Sequence, residues 1–287
     1  MRIAIFGNNY QASHLEELRA FLYLLKESDN EIFIESEFAA YLAETGFDPG
    51  KIHVIANLPD DADIAVSIGG DGTFLQTAEW VGSRQIPIMG INTGHLGYLA
   101  GFSFDRPQEI KDALEGRYEI SPRMVLMIDT PFLPPRLSPF ALNEVSISKG
   151  DTTSMVEIKA TVNGLYLADY LADGLVVSTP TGSTAYNLSC GGPILEPTLD
   201  SIILSPIAPH SLTLRPVVVG AGSKLCFNIS SRGDECHIGV DGRTFAIPSN
   251  GTEIKISAAP YKVNVVQPKG MDFASVLRNK LGWGGGF

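Results

Sequence analysis

A single acidic residue stands inside a glycine-rich turn that carries little other side-chain chemistry. The segment "SIGGDGTF" (67–74) follows an apolar run and places Asp71 among three glycines, just before a predicted helix. Glycines let backbone N–H groups approach a ligand closely, and a helix N-terminus favours a phosphate group. Asp71 therefore either caps the helix expected to begin near Thr73 or acts on a bound ligand.

A second glycine-rich segment, "MGINTGHLGYLAGF" (89–102), follows the next predicted strand. In open α/β sheets, ligands bind at the carboxyl ends of the strands, so two such loops favour a shared ligand site. The phosphate-binding patterns GxxxxGK[ST] and GxGxxG are absent from the Asp71 turn.

Small and hydroxylated residues dominate "LADGLVVSTPTGSTAYNLSCGGPI" (171–194). A loop with many hydroxyls and little bulk can surround a polar ligand, although an elaborate surface loop has the same composition. The GxSxG pattern of a nucleophile elbow is absent. In "ALNEVSIS", Asn143 and Glu144 together can hold the two hydroxyls of a ribose, whereas such a pair at a strand start is commonly only solvated.

Composition limits the classes of partner. The chain has 287 residues, a net charge of −11 and 44% hydrophobic residues, which suit a folded protein and disfavour nucleic acid or an anionic membrane as partner. No apolar stretch approaches the roughly 18 residues of a membrane span, and no signal peptide is recognisable. Three cysteines without a CxxC pair support neither a disulfide framework nor a zinc site. We expect a cytoplasmic protein.

The order of the predicted elements indicates an α/β domain first. Up to residue 120, apolar strands alternate with helical patterns, which predicts a mainly parallel sheet with helices against it. Ser13 and Glu16 have capping-box spacing ahead of an apolar helical face.

A β-rich domain and a helical tail are expected to follow. Residues 121–268 carry short alternating runs, with Asp241-Gly242 and Asn250-Gly251 as hairpin dipeptides. Residues 269–287 regain helical spacing and need an apolar partner surface, for which the first domain is expected.

The combination of motifs resembles the NAD kinase family. "GGDGT", "GINTGHLGYL", "LNEV", "DGLVVSTPTGSTAYNLSCGGPI" and "PHSLTLRPVVV" occur in this order, and "YKVNVVQPKG" and "LGW" resemble the family's tail. The long serine/threonine loop is the specific part, because lipid kinases of the diacylglycerol type and phosphofructokinases carry similar GGDGT turns. The resemblance implies an α/β N-terminal domain, a β-rich C-terminal domain that binds NAD, and a final segment that returns to the first domain.

The resemblance also implies an activity. Members of the family phosphorylate the 2′-hydroxyl of the adenosine ribose of NAD, with ATP or polyphosphate as donor and a divalent cation, here expected to be Mg²⁺. The match makes Asp71 the catalytic acceptor of the 2′-hydroxyl proton, with Gly72 and Thr73 lining the same turn. A homo-oligomer, dimer or tetramer, is implied, with the NAD site between domains and partly completed by a neighbouring subunit.

Further NAD-binding residues follow from the same match. Asn143 and Glu144 correspond to the pair that holds a ribose of NAD, and Asp173 corresponds to the acid at the nicotinamide end. The adenine-side loop is matched by Thr181, Thr184, Ala185, Tyr186, Asn187, Leu188 and Ser189.

Three positions depart from the pattern, of which Cys190 replaces a small residue of the serine/threonine loop, and two other functions stay open. Leu171 stands two residues before Asp173, where some members carry a basic residue, and Arg243 lies near a polar ligand contact of others. A diacylglycerol-type lipid kinase shares the Asp71 turn, but it predicts a basic or apolar membrane-facing surface. A non-catalytic NAD-sensing module would have no use for a base beside the 2′-hydroxyl.

Overall fold

The chain forms two compact units. The computed structural model describes residues 1–9, 14–27, 29–48, 50–94, 97–150 and 154–283. The first unit comprises Met1–Pro122 and Val263–Phe287 and is called the α/β unit. The second comprises Arg123–Lys262 and is called the β unit.

The helices are α1 (Leu15–Lys26), α2 (Ser36–Glu44), α3 (Asp71–Val81), α4 (Pro107–Leu114), α5 (Tyr186–Ser189) and α6 (Phe273–Leu281). The strands are β1 (Arg2–Gly7), β2 (Glu31–Glu35), β3 (His53–Ile55), β4 (Ile64–Ile68), β5 (Ile88–Asn92), β6 (Phe102–Ser103), β7 (Glu119–Asp129), β8 (Phe140–Ala141), β9 (Glu144–Lys149), β10 (Val156–Val162), β11 (Leu165–Ala172), β12 (Gly174–Ser178), β13 (Ser201–Ile207), β14 (Val217–Gly220), β15 (Leu225–Ser231), β16 (Glu235–Val240), β17 (Arg243–Pro248) and β18 (Thr252–Gln267). In the described part of the chain, no helix has the length and hydrophobicity that crossing a membrane requires.

A parallel sheet forms the centre of the α/β unit. Its order is β3-β2-β1-β4-β5, and the last residues of β18 add a further parallel strand beside β5. Strands β4 and β5 are buried along their whole length, as expected for a parallel sheet with covered faces. The predicted α/β domain with a mainly parallel sheet is confirmed.

Helix α1 has the predicted apolar face. Leu18, Leu22 and Leu25 are buried in the same hydrophobic core as the residues of β1. His14 occupies the N-cap position and makes no side-chain capping bond. Ser13, the expected capping residue, lies outside the described residues.

The C-terminal helix α6 belongs to the α/β unit, as predicted. Asp272 caps it by accepting a hydrogen bond from the Ser275 N–H at 2.8 Å. Leu277 is buried, and Phe273 and Leu281 are half-buried. The apolar face predicted from helical spacing is therefore mostly withdrawn from solvent.

Deletion of residues 271–287 is expected to destabilise the α/β unit. Burial of one leucine contributes about 1.5–3 kcal/mol, and the half-buried side chains of α6 add to this. Thermal unfolding of the truncated protein should begin several degrees below that of the full chain. An unchanged melting profile would contradict a structural role for the helix.

The β unit consists of antiparallel strands in two sheets. One sheet has the order β14-β13-β12-β9-β16-β17, and the other contains β11-β10-β15 with the first residues of β18. Buried residues of both sheets form one hydrophobic core, with Ile147 and Val177 from the first sheet and Ile158 and Phe227 from the second. This confirms the predicted β-rich C-terminal domain.

The two hairpin dipeptides have different outcomes. Asp241-Gly242 joins β16 to β17 in a two-residue turn, with Val240 paired to Arg243 and positive φ angles of 46° and 81° at the two turn residues. Asn250-Gly251 does not form a hairpin, so that prediction is wrong. Strand β17 pairs with β16, whereas β18 pairs with β15 in the other sheet. The Asn250-Gly251 dipeptide forms a turn, but the strands on its two sides pair with different strands in different sheets.

Candidate functional site

Asp71 is the first residue of α3, shortly after the carboxyl end of β4. Gly70 is the N-cap residue and carries no side-chain cap, so α3 begins two residues earlier than the expected start near Thr73. Asp71 is therefore not the N-cap of this helix. Its carboxylate lies in the first turn, where the helix dipole favours negative charge.

The second glycine loop holds the Asp71 carboxylate. Oδ2 accepts a hydrogen bond from the Tyr98 N–H at 2.9 Å, and Oδ1 accepts from the N–H groups of Leu99 at 3.1 Å and Ala100 at 3.3 Å. The two loops meet because β4 and β5 are adjacent parallel strands. Three backbone groups thus fix the direction of the carboxylate.

Thr73 and Gly72 lie on the same helical turn as Asp71. Thr73 is buried, and its Oγ1 accepts a hydrogen bond from Asn8 Nδ2 at 2.7 Å. Gly72 is exposed, and a Cβ there would meet no atom within 4 Å. Gly72 therefore leaves open space beside Asp71, while Thr73 ties the turn to the residue that follows β1.

Two groups near Asp71 were missed by sequence analysis. Lys280 Nζ of α6 lies 5.4 Å from the centre of the Tyr98 ring. Burial lowers the pKa of Lys280, while the charge of Asp71 raises it. Burial and Asp71 both raise the pKa of Tyr98, whose hydroxyl is buried without a hydrogen-bond partner among the described residues. No local motif links Lys280 to Asp71, so only folding of the tail brings them near each other.

In the β unit, the segment Leu142–Glu144 is held on two sides. The Asp241 carboxylate accepts hydrogen bonds from the N–H groups of Leu142 at 2.7 Å, Asn143 at 2.8 Å and Glu144 at 3.1 Å. On the other side, the Thr179 N–H donates to the Asn143 carbonyl at 2.9 Å. The Asn143 side-chain amide bonds to none of the described residues and can meet a ligand.

Glu144 is buried with incomplete hydrogen bonding. Its side chain accepts a hydrogen bond from the Tyr186 N–H, but Oε2 has no partner in the described part of the chain. Burial and the nearby Asp241 carboxylate raise the pKa of Glu144 to about 7. Glu144 therefore exists in both protonation states near neutral pH and can either donate or accept a hydrogen bond.

Glu144→Gln is expected to make the protein more stable than wild type at pH 8. The pKa of Glu144 is 4.5 ordinarily and about 7 in the folded protein, so the unfolded chain releases the proton first as pH rises. The free energy of unfolding of the wild type should therefore decrease as pH rises from one pKa to the other, by up to about 3 kcal/mol. The neutral amide of the variant does not titrate, so its contribution does not depend on pH. Urea unfolding from pH 5 to 8 measures this, and parallel stability curves for the two proteins would contradict the raised pKa.

The serine/threonine loop uses many of its polar groups to hold its own shape. Asn187 is fully buried, where its Nδ2 donates to the carbonyls of Ser183 at 3.0 Å and Pro193 at 3.1 Å. Its Oδ1 accepts from Ser205 Oγ at 2.7 Å. The Asn187 side chain is thus engaged inside the loop.

Close packing joins this loop to the Leu142–Glu144 segment. Gly182 lies so near Asn143 that a Cβ at residue 182 would overlap the Asn143 carbonyl. The structure therefore brings together two sets of residues that the sequence separates by about forty positions.

Other loop residues carry either an unpaired polar atom or an exposed surface. Thr181 Oγ1 is buried and has no partner among the described residues. Tyr186 is 44% exposed, and Ser189 is also exposed. The half-buried members of the predicted set are Thr184, Ala185 and Leu188.

A basic residue stands beside Asp173 although Leu171 is apolar. Lys149 Nζ, at the end of β9, lies 2.7 Å from Asp173 Oδ1. Leu171 is 43% exposed on β11, and Asp173 lies between β11 and β12. Sequence analysis missed Lys149 because β9 and β12 become neighbours only in the sheet.

The α/β unit thus fixes a carboxylate near the carboxyl end of a central parallel strand, and the β unit carries a loop rich in hydroxyl groups. Residues 12–119 match the family model of the ATP-NAD kinase N-terminal domain, and residues 142–268 match that of the ATP-NAD kinase C-terminal domain. The chain belongs to the NAD kinase family.

Curated relatives extend this similarity over the whole chain. The NAD kinase of Christiangramia forsetii is 39% identical over 290 residues, which cover 99% of this chain and 98% of the relative. The NAD kinase of Bacteroides fragilis is 39% identical over 294 residues, with coverage of 99% and 98%.

Two solved structures share the fold. A yeast NADH kinase in complex with NADH has a TM-score of 0.86 at 24% identity, and the match covers 100% of this chain and 89% of that chain. An NAD kinase from Archaeoglobus fulgidus in complex with ATP has a TM-score of 0.71 at 26% identity, with coverage of 99% and 98%. The predicted family and fold are therefore confirmed.

Proposed function

We propose that the chain transfers the γ-phosphoryl group of ATP to the 2′-hydroxyl of the adenosine ribose of NAD, giving NADP and ADP. The observation that carries this proposal is the Asp71 carboxylate at the N-terminus of α3. Three backbone N–H groups of the second glycine loop hold it in place. Membership of the NAD kinase family supports the same reaction.

In this mechanism the 2′-oxygen of the ribose attacks the γ-phosphorus of ATP while Asp71 accepts the proton of the 2′-hydroxyl. ADP leaves with the bridging oxygen. A carboxylate offers about four lone-pair directions, of which the backbone N–H groups use three, so Oδ2 keeps one for the proton. The fixed orientation removes the need to order the base during the reaction. Gly72 and Thr73 line the turn beside the attacked hydroxyl.

Gly97→Ala is expected to lower kcat roughly tenfold or more, because small displacements of a reacting group have large effects on rate. A Cβ at this position would overlap Asp71 Oδ1, so the carboxylate must move. Gly222→Ala is the matched control, because residue 222 lies outside both glycine loops and its Cβ would meet no described atom within 4 Å. Equal kcat in both variants, measured at saturating substrates, would contradict the importance of the Asp71 position.

The residues of the β unit are proposed to bind the dinucleotide. Asn143 and Glu144 hold a ribose, because both side chains carry polar atoms without partners among the described residues. Asp173 addresses the nicotinamide end together with Lys149, its ion-pair partner. The adenine side is assigned to Thr181, Thr184, Ala185, Tyr186, Leu188 and Ser189, with Asn187 as the residue that shapes this loop.

A divalent cation, Mg²⁺, is proposed to accompany ATP. Among the described residues, no group of three or more His, Cys, Asp or Glu side chains is placed to hold a metal ion. Magnesium bound mainly through nucleotide phosphates needs only one or two protein carboxylates, so it does not require such a group of side chains. The cation would be held by the nucleotide phosphates and would neutralise charge on the transferring phosphoryl group.

Several finer assignments stay predictions. These are the division into a catalytic segment 1–120, a dinucleotide-binding segment 121–268 and a tail 269–287, the cytoplasmic location, and the homo-oligomeric state. Sedimentation of the purified protein would test for a dimer or tetramer.

The direct test is formation of NADP by purified protein with NAD, ATP and MgCl₂. NADP is quantified with an NADP-specific dehydrogenase, and Asp71→Asn serves as the negative control. Parallel reactions with polyphosphate, NADH and diacylglycerol compare donors and acceptors. Binding of NAD without NADP formation under any of these conditions would favour the sensing module, and phosphorylation of diacylglycerol alone would favour the lipid kinase.

A further inference from the structure

Asp241 occupies a turn that only a few residue types adopt without strain. It is the first of two residues between β16 and β17, with φ at +46°. Aspartate and asparagine tolerate this left-handed conformation better than most residues. The turn thereby directs a carboxylate toward a segment 97 to 99 positions earlier in the chain.

Four hydrogen bonds join Asp241 to this segment. Its carboxylate accepts from three consecutive backbone N–H groups, those of Leu142 at 2.7 Å, Asn143 at 2.8 Å and Glu144 at 3.1 Å. Its own N–H donates to the Glu144 carbonyl at 3.1 Å. Charge-assisted hydrogen bonds of this kind are stronger than neutral ones. The path of the backbone at the start of β9 is therefore set by the β16–β17 turn.

The opposite side of the segment is fixed as well. The Asn143 carbonyl accepts hydrogen bonds from the Thr179 N–H at 2.9 Å and from Ser178 Oγ at 3.2 Å. With its backbone held on both sides, Asn143 has a fixed Cα–Cβ direction, and its side-chain amide has no partner among the described residues. The Glu144 Oε2 is buried and has no hydrogen-bond partner among the described residues.

We propose that Asp241 is a positioning residue for dinucleotide binding, which holds the Leu142–Glu144 backbone so that the Asn143 amide and the Glu144 carboxyl meet a pair of ribose hydroxyls. This inference rests on the proposed function. Asp241 acts through its neighbours and does not itself touch NAD.

The charge of Asp241 gives the proposal a second, independent consequence. The Glu144 carboxyl interacts electrostatically with Asp241, and with Tyr186 and Cys190 of the serine/threonine loop. Arg243 acts on Asp241 from the same turn. Removal of the Asp241 charge should lower the pKa of Glu144, because repulsion between the two carboxylates then disappears.

Asp241→Asn tests the proposal, because asparagine keeps the size and tolerates the left-handed backbone. Its single oxygen cannot serve all three N–H donors. The Kd for NAD should rise at least tenfold, with the Kd for ATP within twofold and kcat at saturating NAD within a few fold. Asp234→Asn removes an exposed acid from the same unit and should leave all three values unchanged.

The pH dependence of NAD binding distinguishes positioning from a general structural role. In wild type, NAD affinity should change around pH 7, where Glu144 titrates, and Glu144→Gln should lack this change. In Asp241→Asn the change should move to lower pH. A variant with only a lower melting temperature, and with wild-type NAD affinity and pH profile, would overturn the proposal.

A second variant covers the case in which Asp241→Asn fails to fold. Asp241→Gly adopts the left-handed turn without strain and removes the carboxylate, so NAD affinity should fall at least tenfold and the change near pH 7 should move to lower pH. Wild-type affinity in a folded Asp241→Gly protein would overturn the proposal. Failure of the wild type to bind NAD or form NADP would instead refute the proposed function.

Discussion

Asp71→Asn is expected to lower kcat by a factor of roughly 10²–10⁴, the usual cost of losing a general base. The amide keeps the size of the side chain but cannot accept the proton of the 2′-hydroxyl. Its oxygen can still accept from one or two of the N–H groups of Tyr98, Leu99 and Ala100. The Kd for NAD should therefore change only a few fold, as measured by titration calorimetry.

Asp60→Asn provides the matched control for this experiment. Asp60 is an exposed acid of the same unit that pairs with Arg84, so the substitution removes the same charge outside the two glycine loops. Its kcat should equal that of wild type. A kcat near the wild-type value in Asp71→Asn would rule out Asp71 as the base and leave it as an anchor of the second glycine loop.

Replacement of both Asn143 and Glu144 by alanine is expected to raise the KM for NAD roughly 10²-fold, because each hydrogen bond to a ligand contributes about 0.5–3 kcal/mol and at least two are lost. The KM for ATP should stay within a few fold, because these side chains are assigned to the dinucleotide. Steady-state kinetics with each substrate varied in turn gives both values.

A matched pair of exposed residues controls for the change in composition. Asn228 on β15 and Glu157 on β10 are an exposed asparagine and glutamate of the same unit. Their double replacement by alanine should leave both KM values unchanged. Equal increases in KM for NAD and ATP in the Asn143/Glu144 variant would place this pair elsewhere than at the dinucleotide.

Local sequence patterns were enough to predict the kind of elements and the class of protein. Apolar runs and helical spacing indicated the parallel sheet, α1 and the tail helix, because burial of one face needs a fixed period. The turn around Asp71 and the loop 171–194 were recognisable because each depends on neighbouring residues in one stretch of chain. Both the α/β class and the NAD kinase family followed from such patterns.

Contacts around the Asp71 carboxylate depended on tertiary structure. The N–H groups that hold Asp71 come from the loop after the adjacent strand, and Lys280 approaches from the C-terminal helix. Neither contact has a signal in the sequence near Asp71, because strand order and helix docking bring these segments together.

In the β unit, strand pairing likewise brings together residues that are far apart in the sequence. Lys149 reaches Asp173 through the neighbouring strand, and Asn250-Gly251 links two sheets instead of closing a hairpin. The Asp241 dipeptide was readable as a turn, but only the folded chain shows its carboxylate bound to residues 142–144. Local propensity fixes a turn, whereas packing and sheet register select which distant groups meet there.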